Sequence, residues 1–357
     1  MVPHFYFAVL HSLGFTQKKL RALTPETAQR CYENLSISSL VEAGYTVDNA
    51  GRILDKKTVK FVEDVYNTIT LNNIRVVHID DPDYPSLLAT IPNAPTILYV
   101  RWPLPTNDAL ISVVGSRKHS QYAHDALGKI LPDLIRSGYG IVSGGAYGID
   151  TVAHEIALKN KGYTAVVFGS GIDVFYPPSN RRLFEEIINS GGALISQFPI
   201  HTLAEPYNFP IRNEVVASMS RWTLIAEAGE DSGTLITARL ALEANREVFV
   251  IPSDITRISA LGSNRLIRDG LGKLITDVVD ILGEYQVVDR QMSLLSQRPL
   301  FSDPIQESLY DLLCMDSLGI DMITERLQLE PVVVINALSL MEIDGIVMSQ
   351  GGVYKII

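Results

Sequence analysis

Val142-Ser143-Gly144-Gly145-Ala146-Tyr147-Gly148-Ile149-Asp150 decides how this chain is read: the end of an apolar run passes into glycines and leaves through Gly148 into a helical pattern. Three further turns of the same kind surround it, at Val114-Gly115-Ser116-Arg117, Phe168-Gly169-Ser170-Gly171 and Asp231-Ser232-Gly233-Thr234. The runs that lead into these turns, Ile111 to Val114, Gly140 to Val142, Thr164 to Phe168 and Trp222 to Ala228, read as strands buried on both faces, the pattern of a parallel sheet. Open sheets of this kind bind ligands outside the carboxyl ends of their strands. One phosphate needs one such turn. Four along one sheet edge point to a polymer of phosphates.

Outward from this core, strand and helix keep alternating to residue 282, with helices expected at about 123–137, 148–159, 180–190, 213–220, 233–245 and 263–269 and further strands at Ala193 to Ser196 and Glu247 to Ile251. That alternation predicts a doubly wound, mostly parallel α/β sheet. Residues 1–72 read as a module of short amphipathic helices. The domain itself spans 73–282, opening with a proline-rich covering segment over 73–109 that holds one strand, Thr96 to Val100. Periodicity is lost over 283–303, a linker. Residues 304–357 then read as three helices and a hairpin turning on Gly351-Gly352, a winged helix.

A chain of 357 residues is long enough for two or three domains. It has no apolar run of about eighteen residues, and Met1 to Leu10 lacks a basic start and a small-residue cleavage site, so no membrane span or signal peptide is expected and a cytoplasmic location is. Cys31 and Cys314 sit far apart in apolar helical patterns and read as core thiols. The seven histidines show no metal-ligand spacing, and His154 reads as a packed residue; neither a metal nor a cofactor is expected. The net charge of −10 is uneven. Residues 110–282 hold 16 basic against 18 acidic side chains, so a local basic groove is permitted there, whereas 300–357 hold 2 against 9.

Each turn offers specific chemistry. Gly115-Ser116-Arg117, ending a strand and opening a helix, combines free amides, a hydroxyl and a guanidinium in a phosphate seat. Ser143, Gly144 and Gly145 repeat the arrangement, with Asp150 read as a helix cap. Gly169-Ser170-Gly171 starts like a dinucleotide fingerprint, but Val174 stands where the third glycine belongs. Tyr176 and Asn180 bound the loop that follows; Tyr176 reads equally as a base-stacking ring or as a ring packed on Pro177 and Pro178. Phe209, Arg212 and Asn213 bring an aromatic, a cation and an amide to one helix start, where Arg212 can grip a phosphate or stack on a base. Ser232-Gly233-Thr234 looks like the phosphate turn of nucleoside-monophosphate phosphoribohydrolases, yet Thr237 occupies the place of their glutamate and cannot supply its carboxylate. A hydrolase of that kind and a nucleotide-sensing module remain the alternatives to a binding protein.

Taken together, Val114 to Arg117, Ser120 to Tyr122, Val142 to Asp150, Gly169 to Asn180, Phe209 to Asn213, Ser232 to Thr234 and Gly262 to Ile267 follow in order the motifs of the DNA-processing protein A family (DprA, also called Smf), which this chain resembles over residues 80–282. The resemblance implies a sterile-alpha-motif-like (SAM-like) helical module, a Rossmann-like domain that binds single-stranded DNA, and a winged-helix tail. It also implies a non-enzymatic homodimer that shields incoming single strands and loads the recombinase RecA in natural transformation. On that basis the turns named above form the DNA site, and Leu261, Leu266, Ile267 and Leu271 are assigned to the dimer surface.

Four positions depart from the family pattern: Ala123, Gln197, Glu214 and Ser218 replace a glycine, a glutamate, an arginine and a glycine. Glu214 is expected to turn a positive site negative beside the groove. In the tail, the third helix over Pro331 to Ile343 has no lysine or arginine, which disfavours duplex binding and favours protein contact.

Overall fold

Continuous apolar runs have to be covered on both faces, and in the computed structural model they are the middle of a nine-stranded sheet. The structure describes residues 4–284 apart from 102, 106 and 107, and residues 301–356 apart from 302, 316, 345 and 351; most of the expected linker, 285–300 and 302, lies outside the described residues. Two compact units divide the chain, 1–283 and 284–357.

In the first unit, helices α1 (Phe5–Leu13), α2 (Gln17–Leu20), α3 (Pro25–Glu33), α4 (Ile37–Glu42), α5 (Val47–Lys56) and α6 (Val59–Leu71) come first. Five of them start where the sequence supplies a capping hydroxyl: Thr16, Thr24, Ser36, Thr46 and Thr58 each accept a backbone N–H from the first turn. Next come β1 (Ile74–His78), α7 (Ser86–Ala89), β2 (Ile97–Arg101), β3 (Leu110–Val114), α8 (Gln121–Arg136), β4 (Gly140–Ser143), α9 (Ile149–Lys159) and β5 (Thr164–Phe168). The unit continues with α10 (Arg181–Asn189), β6 (Ala193–Ser196), α11 (Asn208–Ser218), β7 (Trp222–Ile225), α12 (Gly233–Glu243), β8 (Glu247–Val250), α13 (Leu261–Arg268) and β9 (Lys273–Leu274).

The strand order is β1-β2-β6-β5-β4-β3-β7-β8-β9. From β6 to β9 all pairs are parallel, so the expected mixed α/β architecture with a largely parallel sheet is present. The proline-rich segment contributes two strands rather than one: β1 pairs antiparallel with β2, and β2 antiparallel with β6. Successive side chains point to opposite faces. On β5, Ala165 and Val167 join the core under α11 and α12, while Val166 and Phe168 join a core that includes Phe7, Leu10, Leu13 and Ile69 of the N-terminal helices. Polar contacts fasten the same junction. Gln17 donates to the carbonyls of Ile97 and Gln197 and accepts the amide of Ile97, and Thr96 donates to the Gln17 carbonyl. Cys31 is half-buried within this module, where burial pushes its thiol pKa up; the side chain of Cys314 lies outside the described residues.

Chain order reverses direction at β3: β4, β5 and β6 lie to one side of it, and β7, β8 and β9 to the other. This is a topological switch point, and the crevice beyond the carboxyl ends of β3 and β7 is where such a sheet leaves room for a ligand.

The second unit contains α14 (Pro304–Met315), β10 (Leu318–Gly319), α15 (Ile320–Leu327), α16 (Pro331–Ile343), β11 (Val347–Gln350) and β12 (Val353–Ile356), with sheet order β10-β12-β11. Leu309, Leu313, Ile323, Val334, Leu338, Met341 and Val347 form its core.

His154 is a packed residue, its ring buried and Nδ1 2.7 Å from the Thr164 hydroxyl. Burial pushes its pKa down to about 3, and it does the same to His11. Between pH 6.5 and 3 the unfolded chain therefore takes up protons at these imidazoles while the folded chain does not, so stability falls as pH falls. The expected slope is about 1.4 kcal/mol per pH unit for each imidazole. Denaturant unfolding of wild type and His154→Gln at pH 7, 6 and 5 measures it; the variant is expected to lose one imidazole's share of a slope to which His78, also pushed down by burial, contributes as well, and identical slopes would refute the assignment.

Candidate nucleic-acid interface

The crevice at the switch point is a cleft of about 900 Å³. Of the residues expected to form the site, Gly115, Ser116, Arg117, Tyr176, Phe209, Arg212, Asn213, Ser232, Gly233 and Thr234 line it, and Gly144 and Gly169 line an adjoining recess shared by Arg117, Tyr176, Phe209 and Arg212.

Each turn reaches this place by a different physical route. After β3 the chain runs through Gly115 to Ser120, where the Ser120 hydroxyl accepts the Ala123 amide and caps α8. The helix thus begins at Gln121, and its amino end is not the seat that Gly115-Ser116-Arg117 was expected to provide. What the turn presents instead is side chains. Arg117 is exposed, with its guanidinium carbon 5.4 Å from the centroid of the Phe209 ring. The Ser116 amide donates to the Glu227 carbonyl, and its hydroxyl accepts the Lys118 amide at 3.1 Å.

The second turn is occupied by its own chain. Asp150 is buried and one oxygen of its carboxylate accepts the amides of Gly144 and Ala146, each at 3.2 Å. It therefore braces the turn, and α9 has Gly148 at its cap position with no side-chain cap. The Ser143 hydroxyl donates to the Val113 carbonyl, and Asn180 donates to the Gly145 carbonyl and the Thr151 hydroxyl. Gly144 is a glycine for steric reasons: a Cβ there would run into the Arg212 guanidinium.

The third turn behaves in the same way. A Cβ on Gly169 would sit 2.8 Å from the Phe209 ring, so this glycine admits the aromatic side chain. Ser170 is fully buried and donates to the Val174 carbonyl, while the Gly171 amide donates to the Thr202 carbonyl. Ser143, Gly145, Ser170, Gly171 and Asn180 are not among the residues lining the cleft or its recess, and the hydrogen bonds of these turns are made within the chain.

Arg212 lines the cleft and the recess and is also tied into the floor. It lies on α11, which begins at Asn208, five residues before the expected start, and it is buried. One guanidinium nitrogen donates to the carbonyls of both Gly144 and Val167, and Nε to the Asn213 side chain. Burial pushes its pKa down to about 10 against the pull of Asp150, with Arg117 adding to the fall. Burial likewise pushes the Asp150 carboxyl up, and Arg212 is the main opposing influence. The two form a buried charge pair under the cleft floor, and the guanidinium is spent on main-chain carbonyls rather than held out for a phosphate.

The fourth turn is the open one. Ser232 caps α12 by accepting the Thr234 amide, and a Cβ on Gly233 would meet nothing within 4 Å. Here the amino end of an eleven-residue helix does line the cleft, with its positive dipole end, although the Thr234 and Leu235 amides are taken by the Ser232 hydroxyl and carbonyl. Thr237 is buried in the same wall.

Three features of the site lay outside the sequence reading. Lys118 lines the cleft next to Arg117, and Tyr147, about half exposed, lines the recess. Glu227, almost fully buried, accepts the Ser120 amide at 2.7 Å and the Ser259 hydroxyl, tying two walls together. An acid inside the apolar run Trp222 to Ala228 was the signal for it. Conversely, Glu214 does not line the cleft. Burial pushes its pKa up and its neighbours are Asn93 and Glu243, so its negative charge is not beside the groove. Gln197 donates its amide to the Ile211 carbonyl, which the glutamate usual in the family cannot do when ionised. Leu266 is buried in the chain's own core with Ile267 packed against it, leaving Leu261 and Leu271 as the exposed members of the expected dimer set. Among the described residues no three His, Cys, Asp or Glu side chains cluster as metal ligands, and no helix is long and apolar enough to cross a membrane.

The chain thus contains a doubly wound, Rossmann-like α/β domain whose switch-point cleft combines an exposed arginine, two aromatic rings and a helix amino end. The chain belongs to the family described as DNA recombination-mediator protein A, whose sequence profile matches residues 75–286. Protein Smf of Synechocystis is 38% identical over 218 residues, which are 59% of this chain and 54% of that protein, so the match spans about half the length of this curated relative. The X-ray structure of DNA processing protein A from Streptococcus pneumoniae superposes with a TM-score of 0.66 at 30% identity, covering 80% of this chain and 99% of the other. DNA processing protein A from Helicobacter pylori, solved for its single-stranded DNA binding mode, shares the fold with a TM-score of 0.52 at 24% identity, covering 60% and 95%.

Because Arg212 holds two carbonyls and balances a buried carboxylate, Arg212→Ala is expected to lower the unfolding free energy by about 3 kcal/mol. Arg117→Ala, on the surface, is expected to change it by less than about 0.5 kcal/mol. Denaturant melts compare them, and equal stabilities would remove the assignment of Arg212 to the floor.

Proposed function

We propose that this chain binds single-stranded DNA in the switch-point cleft and performs no chemistry on it. The carrying observation is the exposed Arg117 guanidinium over Phe209, whose ring centroid is 5.7 Å from that of Tyr176, across from the open amino end of α12. A phosphate asks for charge-assisted donors and an unpaired base asks for a ring face, and the cleft offers both side by side. In a duplex the base faces are hidden in the stack, so the aromatic rings favour an unpaired strand. Tyr176 is 41% exposed, which leaves its ring available to stack. Against hydrolysis stand Thr237, in place of a catalytic glutamate, and Asp150, whose carboxylate is engaged with two turn amides.

From family membership we extend the reading to protection of incoming or recombining strands and loading of RecA in natural transformation or homologous recombination, by a cytoplasmic homodimer. The same source supports a division into a SAM-like module (1–72), a Rossmann-like DNA-binding domain (73–282), a linker (283–303) and a winged helix (304–357). For the tail, α16 exposes Val332, Ile335, Leu340 and Ile343 and carries no basic residue, which favours contact with protein over duplex.

Titration of a fluorescent oligothymidine and a matching duplex tests the reading. The single strand is expected to bind preferentially, Arg117→Ala to bind about tenfold more weakly, and a chain ending at residue 283 to keep its affinity. Incubation with AMP is expected to release no adenine. Wild-type affinity in Arg117→Ala, or free adenine, overturns the proposal.

A further inference from the structure

The cleft does not end at its anion-binding wall. Glu227 joins the loop that follows β3 to the loop between β8 and α13, since its carboxylate accepts both the Ser120 amide and the Ser259 hydroxyl. Ser259 lines the cleft. Two residues beyond Ser120 on one side, and two residues before Ser259 on the other, stand Tyr122 and Arg257, with the guanidinium carbon 5.5 Å from the ring centroid. Two residues span at most about 7 Å of chain. The pair therefore stands within that reach of the cleft-lining Ser259, just outside the cleft's own lining.

Its build repeats the arrangement inside the cleft. Arg117 stands 5.4 Å from the Phe209 centroid, nearly the same spacing. The Tyr122 hydroxyl donates to the Pro252 carbonyl at 2.7 Å, which fixes the ring while leaving the residue 42% exposed. Arg257 is held from the other end by Asp254, with Nη2 3.0 Å from the carboxylate. The Arg257 side chain is still 30% exposed, so its guanidinium can be reached from solvent. An anchored ring face with a reachable guanidinium beside it matches one nucleotide unit, the base on the ring and the phosphate on the cation.

We propose that Tyr122 and Arg257 form a second nucleotide subsite, which takes up the strand as it leaves the cleft. This rests on the single-strand reading and extends it: the footprint has two stacking platforms, one inside the cleft and one just outside it. Glu227 is the positioning residue that keeps the outer platform in line with the inner one.

Length dependence separates the two claims. Fluorescence anisotropy is measured with oligothymidines of about 4 and about 16 nucleotides, bracketing common single-strand footprints. Tyr122→Leu and Arg257→Ala are each expected to weaken the longer strand about tenfold and to leave the shorter one within about twofold. Tyr122→Phe, which keeps the ring, is expected to stay within about twofold on both. Arg117→Ala weakens both lengths. Retained binding of the short strand shows that the outer variants are folded. If they weaken both lengths alike, or neither, the second subsite is refuted while the cleft stands. If the wild type binds neither strand, both readings fall.

Discussion

The Arg212 guanidinium, sealed beneath the cleft, is the interaction on which the arrangement depends. It bonds to the carbonyls of Gly144 and Val167, so it joins the carboxyl end of β5 to the turn after β4, and α11 supplies it. Asp150 completes the unit from the next helix by holding the amides of Gly144 and Ala146. Carbonyl ends of parallel strands repel a second acceptor, and a buried cation is a fitting bridge between them. With the floor fixed in this way, Phe209, three residues before Arg212 on the same helix, is presented to the cleft. The cleft thus rests on a largely buried charge pair, Arg212 and Asp150, which also forms part of its lining.

Legibility in the sequence followed burial. Strands β3, β4, β5 and β7 were readable because two-sided burial leaves unbroken apolar runs. Strand β1 was not, since Ile74-Arg75-Val76-Val77-His78 is an outer strand with Arg75 exposed and its alternation is interrupted. Helix α11 begins five residues before the expected 213 and takes in Pro210, because a proline in the first turn gives up no intrahelical hydrogen bond.

The glycine turns were legible as places, and at three of the four the chain's own side chains fill the space beside the glycine. A glycine reports that space is needed next to the main chain; it does not say what fills the space. At Gly144 the occupant is a guanidinium, at Gly169 a phenyl ring, and at Gly115 the side chain of Ile149, where a Cβ would stand 2.6 Å away. Only Gly233 faces open volume among these four. The same limit explains Leu266 and Glu214, whose facing direction depends on helix phase against the sheet, which residue type alone does not reveal.

The shared core between the first six helices and the sheet has a mechanical consequence. Phe7, Leu10 and Leu13 cover Val166, Phe168 and Leu194, and Gln17 is bonded to neighbouring strands on both sides of the β2–β6 seam. Such a joint transmits force without bending. Displacing the leading helices would therefore strain β5 and β6, whose carboxyl ends lead into the turns beneath the cleft.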